Sequence, residues 1–131
     1  MTRIRRLLAV LVVAPLLVLG ACDGDGEDGK DETPTQPTGS PDEVVSLSSI
    51  DFGFEPNALS AKAGLIEIRY RNGGERPHTF LIDGMYEVFM EVEFPGETDS
   101  YKVRLDPGTY TFYCDVPGHR AAGMEGTLTV T

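Results

Sequence analysis

The sequence predicts an all-β domain, built as a Greek-key β-sandwich of about seven to eight strands. Short runs of β-branched, aromatic and other apolar residues recur along residues 44–131. Gly, Pro, Asn and Asp separate these runs, which is typical of strands joined by tight turns. No segment of this region repeats its apolar residues over a useful length with the 3.6-residue period of an amphipathic helix.

Seven runs are assigned as strands, in chain order. They cover residues 44–47, 65–70, 78–82, 85–89, 101–105, 108–114 and 126–130. Apolar and polar residues alternate in the second and fifth runs, as expected when one face of a strand is buried. The turn signals between the runs are Asn72-Gly73-Gly74, Asp83-Gly84, Pro95-Gly96, Asp106-Pro107-Gly108 and Pro117-Gly118.

Residues 1–21 are predicted to be a lipoprotein signal peptide. Three arginines near the N-terminus precede an apolar run, residues 7–19, that only Pro15 interrupts. This run is shorter than the ~20 residues of a membrane span and fits the apolar region of a secretory signal. It ends in Leu19-Gly20-Ala21-Cys22, which resembles the bacterial signal for cleavage before a Cys that is then acylated. The alternative is an ordinary signal peptide with a chance Cys22.

Residues 22–43 are predicted to form an acidic, disordered linker behind the lipidated Cys22. The segment 23–43 carries eight acidic residues against the single base Lys30, and it is almost devoid of apolar side chains. Such a segment cannot bury enough surface to offset its ordering entropy. We therefore expect a domain at residues 44–131, outside the cytoplasm and tethered by lipid to the periplasmic side or outer face of a membrane.

Charge and composition exclude several classes of protein. The formal net charge of −10 argues against binding nucleic acid, which needs clustered Lys and Arg. With two His and two Cys in 131 residues, the chain has no paired ligands for a zinc finger. The domain from residue 44 has 13 acidic and 7 basic residues, which favours a partner with a basic docking face, unless the charge serves solubility alone.

Four residues carry the chemistry of the sequence: His78, Cys114, His119 and Met124. Singly, Cys114 and Met124 would be interpreted as core residues, and His78 as a hydrogen-bonded residue at a strand edge. His119 follows Pro117-Gly118 and is expected on an exposed turn. Together, two imidazoles, one thiolate and one thioether are the donor set of a mononuclear blue-copper centre. Zinc fits this set less well, since a thioether is a poor zinc ligand.

Two segments resemble the cupredoxin family, in particular its plastocyanin-like and amicyanin-like single-domain members. They are residues 72–80, NGGERPHTF, and residues 108–124, GTYTFYCDVPGHRAAGM. The resemblance implies one copper ion with His78, Cys114 and His119 as equatorial ligands and Met124 as the axial ligand. Thr79 stands where many members have Asn or Ser, which puts the bonding between the two ligand loops in doubt. Asp115, if it lies close to the thiolate, would favour Cu(II).

The leading functional hypothesis is a one-electron carrier and not an enzyme. No His remains for a second type of copper, and only Cys114 is available for a binuclear centre. Pro117, Gly118, Ala121 and Ala122, called the docking patch below, would let a redox partner such as a cytochrome or membrane oxidoreductase approach a monomeric domain. The alternatives are a copper-delivery lipoprotein and a metal-free interaction module.

Overall fold

The computed structural model describes residues 35–131, and the structural statements below concern these residues. The predicted signal peptide, Cys22 and the linker up to residue 34 lie outside the described residues. Within residues 35–131 the protein is all-β, with nine strands and one short 3-10 turn, Arg120–Ala122. The predicted fold class is therefore confirmed. No helix in the described residues is long and apolar enough to cross a membrane.

The nine strands form two sheets. Their bounds are β1 Glu43–Ile50, β2 Gly53–Glu55, β3 Ala58–Ala61, β4 Gly64–Asn72, β5 His78–Ile82, β6 Met85–Val92, β7 Thr98–Leu105, β8 Gly108–Tyr113 and β9 Glu125–Val130. One sheet has the order β2-β1-β4-β7 and the other the order β3-β9-β8-β5-β6. The pairs β1/β4 and β3/β9 are parallel and the remaining pairs are antiparallel, so both sheets are mixed.

Two of the nine strands, β2 and β3, escape prediction from the sequence. They have three and four residues, which is too short for an alternating pattern to stand out. Each is positioned by a long neighbour, since β2 pairs with the end of β1 and β3 pairs with β9. Long-range pairing therefore creates strands that the local sequence does not predict.

The core fills the space between the sheets with aromatic and aliphatic side chains. Phe80 and Phe112 stack at a centroid distance of 5.1 Å, and Phe54 meets Phe112 edge-on at 5.2 Å. Gly126 of β9 is required for this packing, because a Cβ there would clash with the Phe112 ring and with the carbonyl of Asn57. Burial of these side chains from both sheets is the main stabilising contribution.

Residues at the end of the predicted linker contact the domain. The Lys102 amide donates to Oε1 of Gln36 at 3.1 Å, and Lys102 Nζ donates to the Gly39 carbonyl at 2.8 Å. Asp42 is tied to Leu65 twice, through its amide at 2.7 Å and through Oδ2 at 2.8 Å. The boundary between linker and domain at residue 43/44 stays a prediction.

The topology brings one end of the second sheet to the predicted ligands. β8 is antiparallel to both β5 and β9, so the start of β5, the end of β8 and the start of β9 lie at the same end. His78 opens β5, Cys114 follows β8 and Met124 precedes β9. The loop 114–124 joins β8 to β9 at this end and carries His119 at its middle.

Candidate metal centre

Three of the four predicted ligands meet in the interior. The His78, Cys114 and His119 donor atoms lie within 4.8 Å of one another. Cys114 Sγ and His119 Nδ1 are 3.6 Å apart, and the two imidazole centroids are 5.1 Å apart. All three side chains are buried. A thiol and two imidazoles in such a cluster are suitable donors for one copper ion.

The His78 side chain supports a metal site independently of this clustering. It is fully buried, yet neither of its ring nitrogens has a hydrogen-bond partner. Buried polar atoms without partners are rare and costly in folded proteins, unless they serve another ligand. Burial lowers the pKa of His78, and the neighbouring His119 and Arg76 lower it further against the opposing effect of Asp51. The ring is therefore held in the neutral form that binds metals.

Met124 closes the loop next to this cluster. Its side chain is fully buried, and its backbone is fixed on both sides. The Cys114 amide donates to the Met124 carbonyl at 3.2 Å, and the Met124 amide donates to the His119 carbonyl at 3.0 Å. Because these bonds join Met124 to two of the predicted ligands, its thioether stays a candidate for the fourth ligand.

Glycines allow the loop between Cys114 and Met124 to turn twice. Gly118 and Gly123 both have positive φ, at 86° and 103°, a region that favours glycine. Between them the chain makes the 3-10 turn Arg120–Ala122, closed by the Gly123 amide donating to the Arg120 carbonyl at 2.9 Å. The sequence pattern indicated a turn here, but it did not predict the 3-10 geometry.

Hydrogen bonds of Thr79 join the two segments that carry the predicted ligands. Its amide lies 3.4 Å from Cys114 Sγ, as a donor to the sulfur. Its Oγ1 accepts a hydrogen bond from the Asp115 amide at 3.0 Å and lies 2.7 Å from Asp115 Oδ1, to which it donates. Oγ1 is also 3.5 Å from Sγ, but a hydroxyl has one hydrogen and the shorter contact with the carboxylate takes it. Thr79 therefore links the His78 and Cys114 segments, and its hydroxyl contacts both the Asp115 carboxylate and the Cys114 sulfur.

Asn72 fixes the loop that leads into His78. Its Oδ1 accepts hydrogen bonds from the Gly74 amide at 2.9 Å and from Ser49 Oγ at 3.1 Å. Its Nδ2 donates to the Arg76 carbonyl at 2.8 Å. Asn72 is 1 % exposed, so these bonds satisfy a buried amide and stabilise one conformation of residues 73–77. The sequence indicated only a turn at Asn72 and did not reveal this role.

The expectation that His119 lies on an exposed turn is wrong. Its residue exposure is 6 %, although the surrounding loop is exposed. The ring of Phe52 covers it edge-on at a centroid distance of 5.2 Å, and the Arg76 guanidinium lies 5.5 Å from the Phe52 ring centroid. Phe52 is 42 % exposed and has a φ of 69°, which is unusual for a bulky residue. Nothing in the local sequence signals this contact across the sandwich.

Comparison with known proteins agrees with the fold and the cluster. The family model described as "Cupredoxin-like domain" matches residues 17–130. Plastocyanin of Dryopteris crassirhizoma is 32 % identical over 94 residues, covering 61 % of this chain and 89 % of that protein. Auracyanin-B of Chloroflexus aurantiacus is 57 % identical over 37 residues, which are 28 % of this chain and 16 % of that protein.

Solved structures extend the comparison to the backbone. A structure of auracyanin B superposes with a TM-score of 0.64 at 22 % identity, covering 75 % of this chain and 95 % of the other. Oxidized plastocyanin from Dryopteris crassirhizoma superposes with a TM-score of 0.52 at 28 % identity, covering 66 % of this chain and all of the other. The family model spans most of the chain, and the chain therefore belongs to the cupredoxin-like domain family.

Proposed function

We propose that the protein is a blue-copper electron carrier that passes single electrons between redox partners outside the cytoplasm. The observation that carries the proposal is the buried group of His78, Cys114 and His119, whose donor atoms lie within 4.8 Å of one another. The unpartnered ring nitrogens of His78 add to it, since a bound ion would satisfy them.

The imidazoles of His78 and His119, the thiolate of Cys114 and the thioether of Met124 would hold the copper ion. A bound copper ion would supply one-electron redox chemistry between Cu(II) and Cu(I). Cys114 supplies the charged donor, and the Thr79 amide directed at its sulfur stabilises negative charge there. The buried rings and the Met124 backbone bonds hold one arrangement of donors, which reduces the rearrangement that accompanies electron transfer.

The burial of the site favours a carrier over a copper-delivery protein. His78 and Cys114 are fully buried and His119 nearly so, whereas a delivery site must open to release its metal. The docking patch of Pro117, Gly118, Ala121 and Ala122 offers exposed uncharged residues to a transient partner, and the one charge between them, on Arg120, is paired with Asp83. Phe52 adds an exposed aromatic ring in contact with His119.

The partner is proposed to be a cytochrome or a membrane oxidoreductase, met by a monomeric domain. The acidic domain favours a partner with a basic face. Acylation of Cys22 behind a signal peptide at residues 1–21 would hold the protein at the membrane, with residues 22–43 as a tether. The proposed membrane anchor depends on the sequence pattern at the N-terminus.

Electron exchange of the copper-loaded protein tests the proposed function. The parent protein should be reduced by a small inorganic reductant and reoxidised repeatedly without losing copper. Cys114→Ser should lose the rapid exchange, because the thiolate that joins copper to the chain is gone. Slow exchange in the parent, with release of the ion on reduction, would instead indicate copper delivery.

The docking patch is tested by a charge placed on it. Ala122→Glu should slow electron exchange between two copies of the protein, since it adds charge and bulk at an exposed position. Ala63→Glu is the matched control, because Ala63 is also exposed but lies beside Thr131, at the opposite end of β9. Equal rates for the two variants would place the contact surface elsewhere on the domain.

A further inference from the structure

The guanidinium of Arg120 gathers four contacts at the edge of the ligand loop. It forms a bidentate ion pair with Asp83, with NH1–Oδ1 and NH2–Oδ2 distances of 3.1 and 2.7 Å. Its Nε donates to Oε2 of Glu125 at 3.3 Å. Its central carbon lies 4.0 Å from the Tyr113 ring centroid, so the charge stacks on the aromatic face. Arg120 lies in the sequence between the docking-patch residues Gly118 and Ala121, and other side chains engage its charge.

These contacts have a specific relation to the proposed ligands. Tyr113 precedes Cys114, Arg120 follows His119, and Glu125 follows Met124. The third partner, Asp83, belongs to the turn between β5 and β6, and its amide donates to the Thr111 carbonyl of β8 at 2.9 Å. One guanidinium therefore joins the neighbours of three ligands to a turn fixed on the sheet.

We propose that Arg120 is a positioning residue, which holds the loop 114–124 in the arrangement that binds the metal before the metal arrives. The inference deepens the proposed function and, for its copper-binding part, rests on it. Arg120 acts through the backbone of the loop and touches none of the proposed donor atoms.

Beyond Asp115, which bonds to Thr79, the loop offers few other side-chain restraints. Apart from the His119–Cys114 contact within the donor group, Arg120 makes all the side-chain hydrogen bonds of residues 116–124 in the described chain. Ala121, Ala122 and Gly123 are exposed, and Gly118 and Gly123 adopt positive φ. Between the buried side chains of His119 and Met124, such an exposed stretch of small residues opens locally unless a side chain fastens it.

The fork shape of the side chain matters for this role. Arg presents parallel N–H groups to a carboxylate and still stacks on a ring, whereas Lys offers one point charge. The hydrogen bond from Arg120 lowers the pKa of Asp83, which favours the charged carboxylate that the fork of Arg120 binds. Asp83 therefore acts together with Arg120 and is not an independent surface charge.

The test compares Arg120→Gln with the parent in the copper-free protein, by amide hydrogen exchange. The reporters are three amides that donate to carbonyls within the loop. The Ala122 amide donates to Gly118 and His119, the Gly123 amide to Arg120, and the Met124 amide to His119. Their exchange should accelerate about three- to tenfold, the range expected for a small exposed ion-pair network. Exchange of core amides in β4 should stay unchanged. Arg69→Gln is the matched control, since Arg69 forms an exposed ion pair with Glu67 in the other sheet.

Copper affinity provides the second measurement. Arg120→Gln should bind copper about three- to tenfold more weakly than the parent, and Arg120→Lys should fall between the two. Asp83→Asn should also weaken copper binding. The double variant should bind copper no more weakly than Arg120→Gln, because Arg120→Gln already lacks the interaction that Asp83→Asn removes. Arg69→Gln should bind copper like the parent.

The outcomes separate this inference from the proposed function. Unchanged loop exchange in copper-free Arg120→Gln would overturn the positioning role, whatever metal the site binds. Equal acceleration of loop and core amides would overturn it too, since it would indicate a general stabilising role. If the parent bound no copper while the loop amides alone accelerated, the proposed function would fail and the positioning of the loop would stand.

Discussion

The hydroxyl of Thr79 offers a sharp test of how the two ligand segments are joined. Thr79→Val keeps the size and shape of a side chain that is 5 % exposed, and removes only the hydroxyl. Two hydrogen bonds with Asp115 are lost, at 2.7 and 3.0 Å. The bond from the Thr79 amide to Cys114 Sγ is made by the backbone and remains.

The expected cost follows from these bonds. Breaking hydrogen bonds to a partly buried amide and to a carboxylate costs about 1–3 kcal/mol. Asp115 is exposed, so water replaces part of the loss at its carboxylate, and we expect about 1–2 kcal/mol. In a domain of this size each kcal/mol lowers Tm by about 4–8 °C.

Thermal and denaturant unfolding of the copper-free protein measure this change. Asp115→Ala is the partner variant, because it removes the carboxylate and leaves the Asp115 amide bond to Oγ1 in place. Thr79→Val should cost less in that background than in the parent, by about 1 kcal/mol. A cost below about 0.3 kcal/mol, or an equal cost in both backgrounds, would refute the proposed link.

Two further predictions concern the Met124 thioether and the Asp83 carboxylate. Met124→Leu should keep copper but raise the reduction potential, measured by redox titration, because the thioether that stabilises Cu(II) is lost; a tenfold loss of that preference corresponds to about 59 mV. An unchanged potential would show that the Met124 sulfur is not a ligand. Because the hydrogen bond from Arg120 lowers the pKa of Asp83 in the folded state, the pair stabilises the fold above the unfolded-state pKa of Asp83, and this contribution is lost as pH falls through its folded-state pKa. NMR titration should find a higher Asp83 pKa in Arg120→Gln, and the stability difference between the two proteins should shrink in acid to the part that comes from stacking on Tyr113; a difference that does not change with pH would contradict the pairing.

The sequence predicts much of the fold because its signals are local. The turns at Asp83-Gly84 and Asp106-Pro107-Gly108 separate strands whose bounds agree with the structure within a few residues. The sequence also predicts that His78, Cys114 and His119 lie together, as they do in the structure. The chain has only two His and two Cys, and their types and spacing match the donor set of one copper site.

What the sequence could not predict depends on contacts between distant segments. Phe52 belongs to the turn between β1 and β2, and it covers His119 from 67 positions away in the chain. Likewise, Arg120 pairs with Asp83 across the sheet end, 37 residues away. No motif predicts either contact, because the packing of the two sheets and the path of the loop bring these side chains together.

The visible and electron-spin-resonance spectra of the copper-loaded protein test the central claim most directly. Binding of one copper ion per chain by His78, Cys114, His119 and Met124 predicts an intense blue colour from thiolate bound to Cu(II), which Cys114→Ser abolishes. The same sample should unfold at a higher temperature than the copper-free protein, because the folded state binds the ion far better. A pale copper complex, or an equally blue Cys114→Ser protein, would contradict the account.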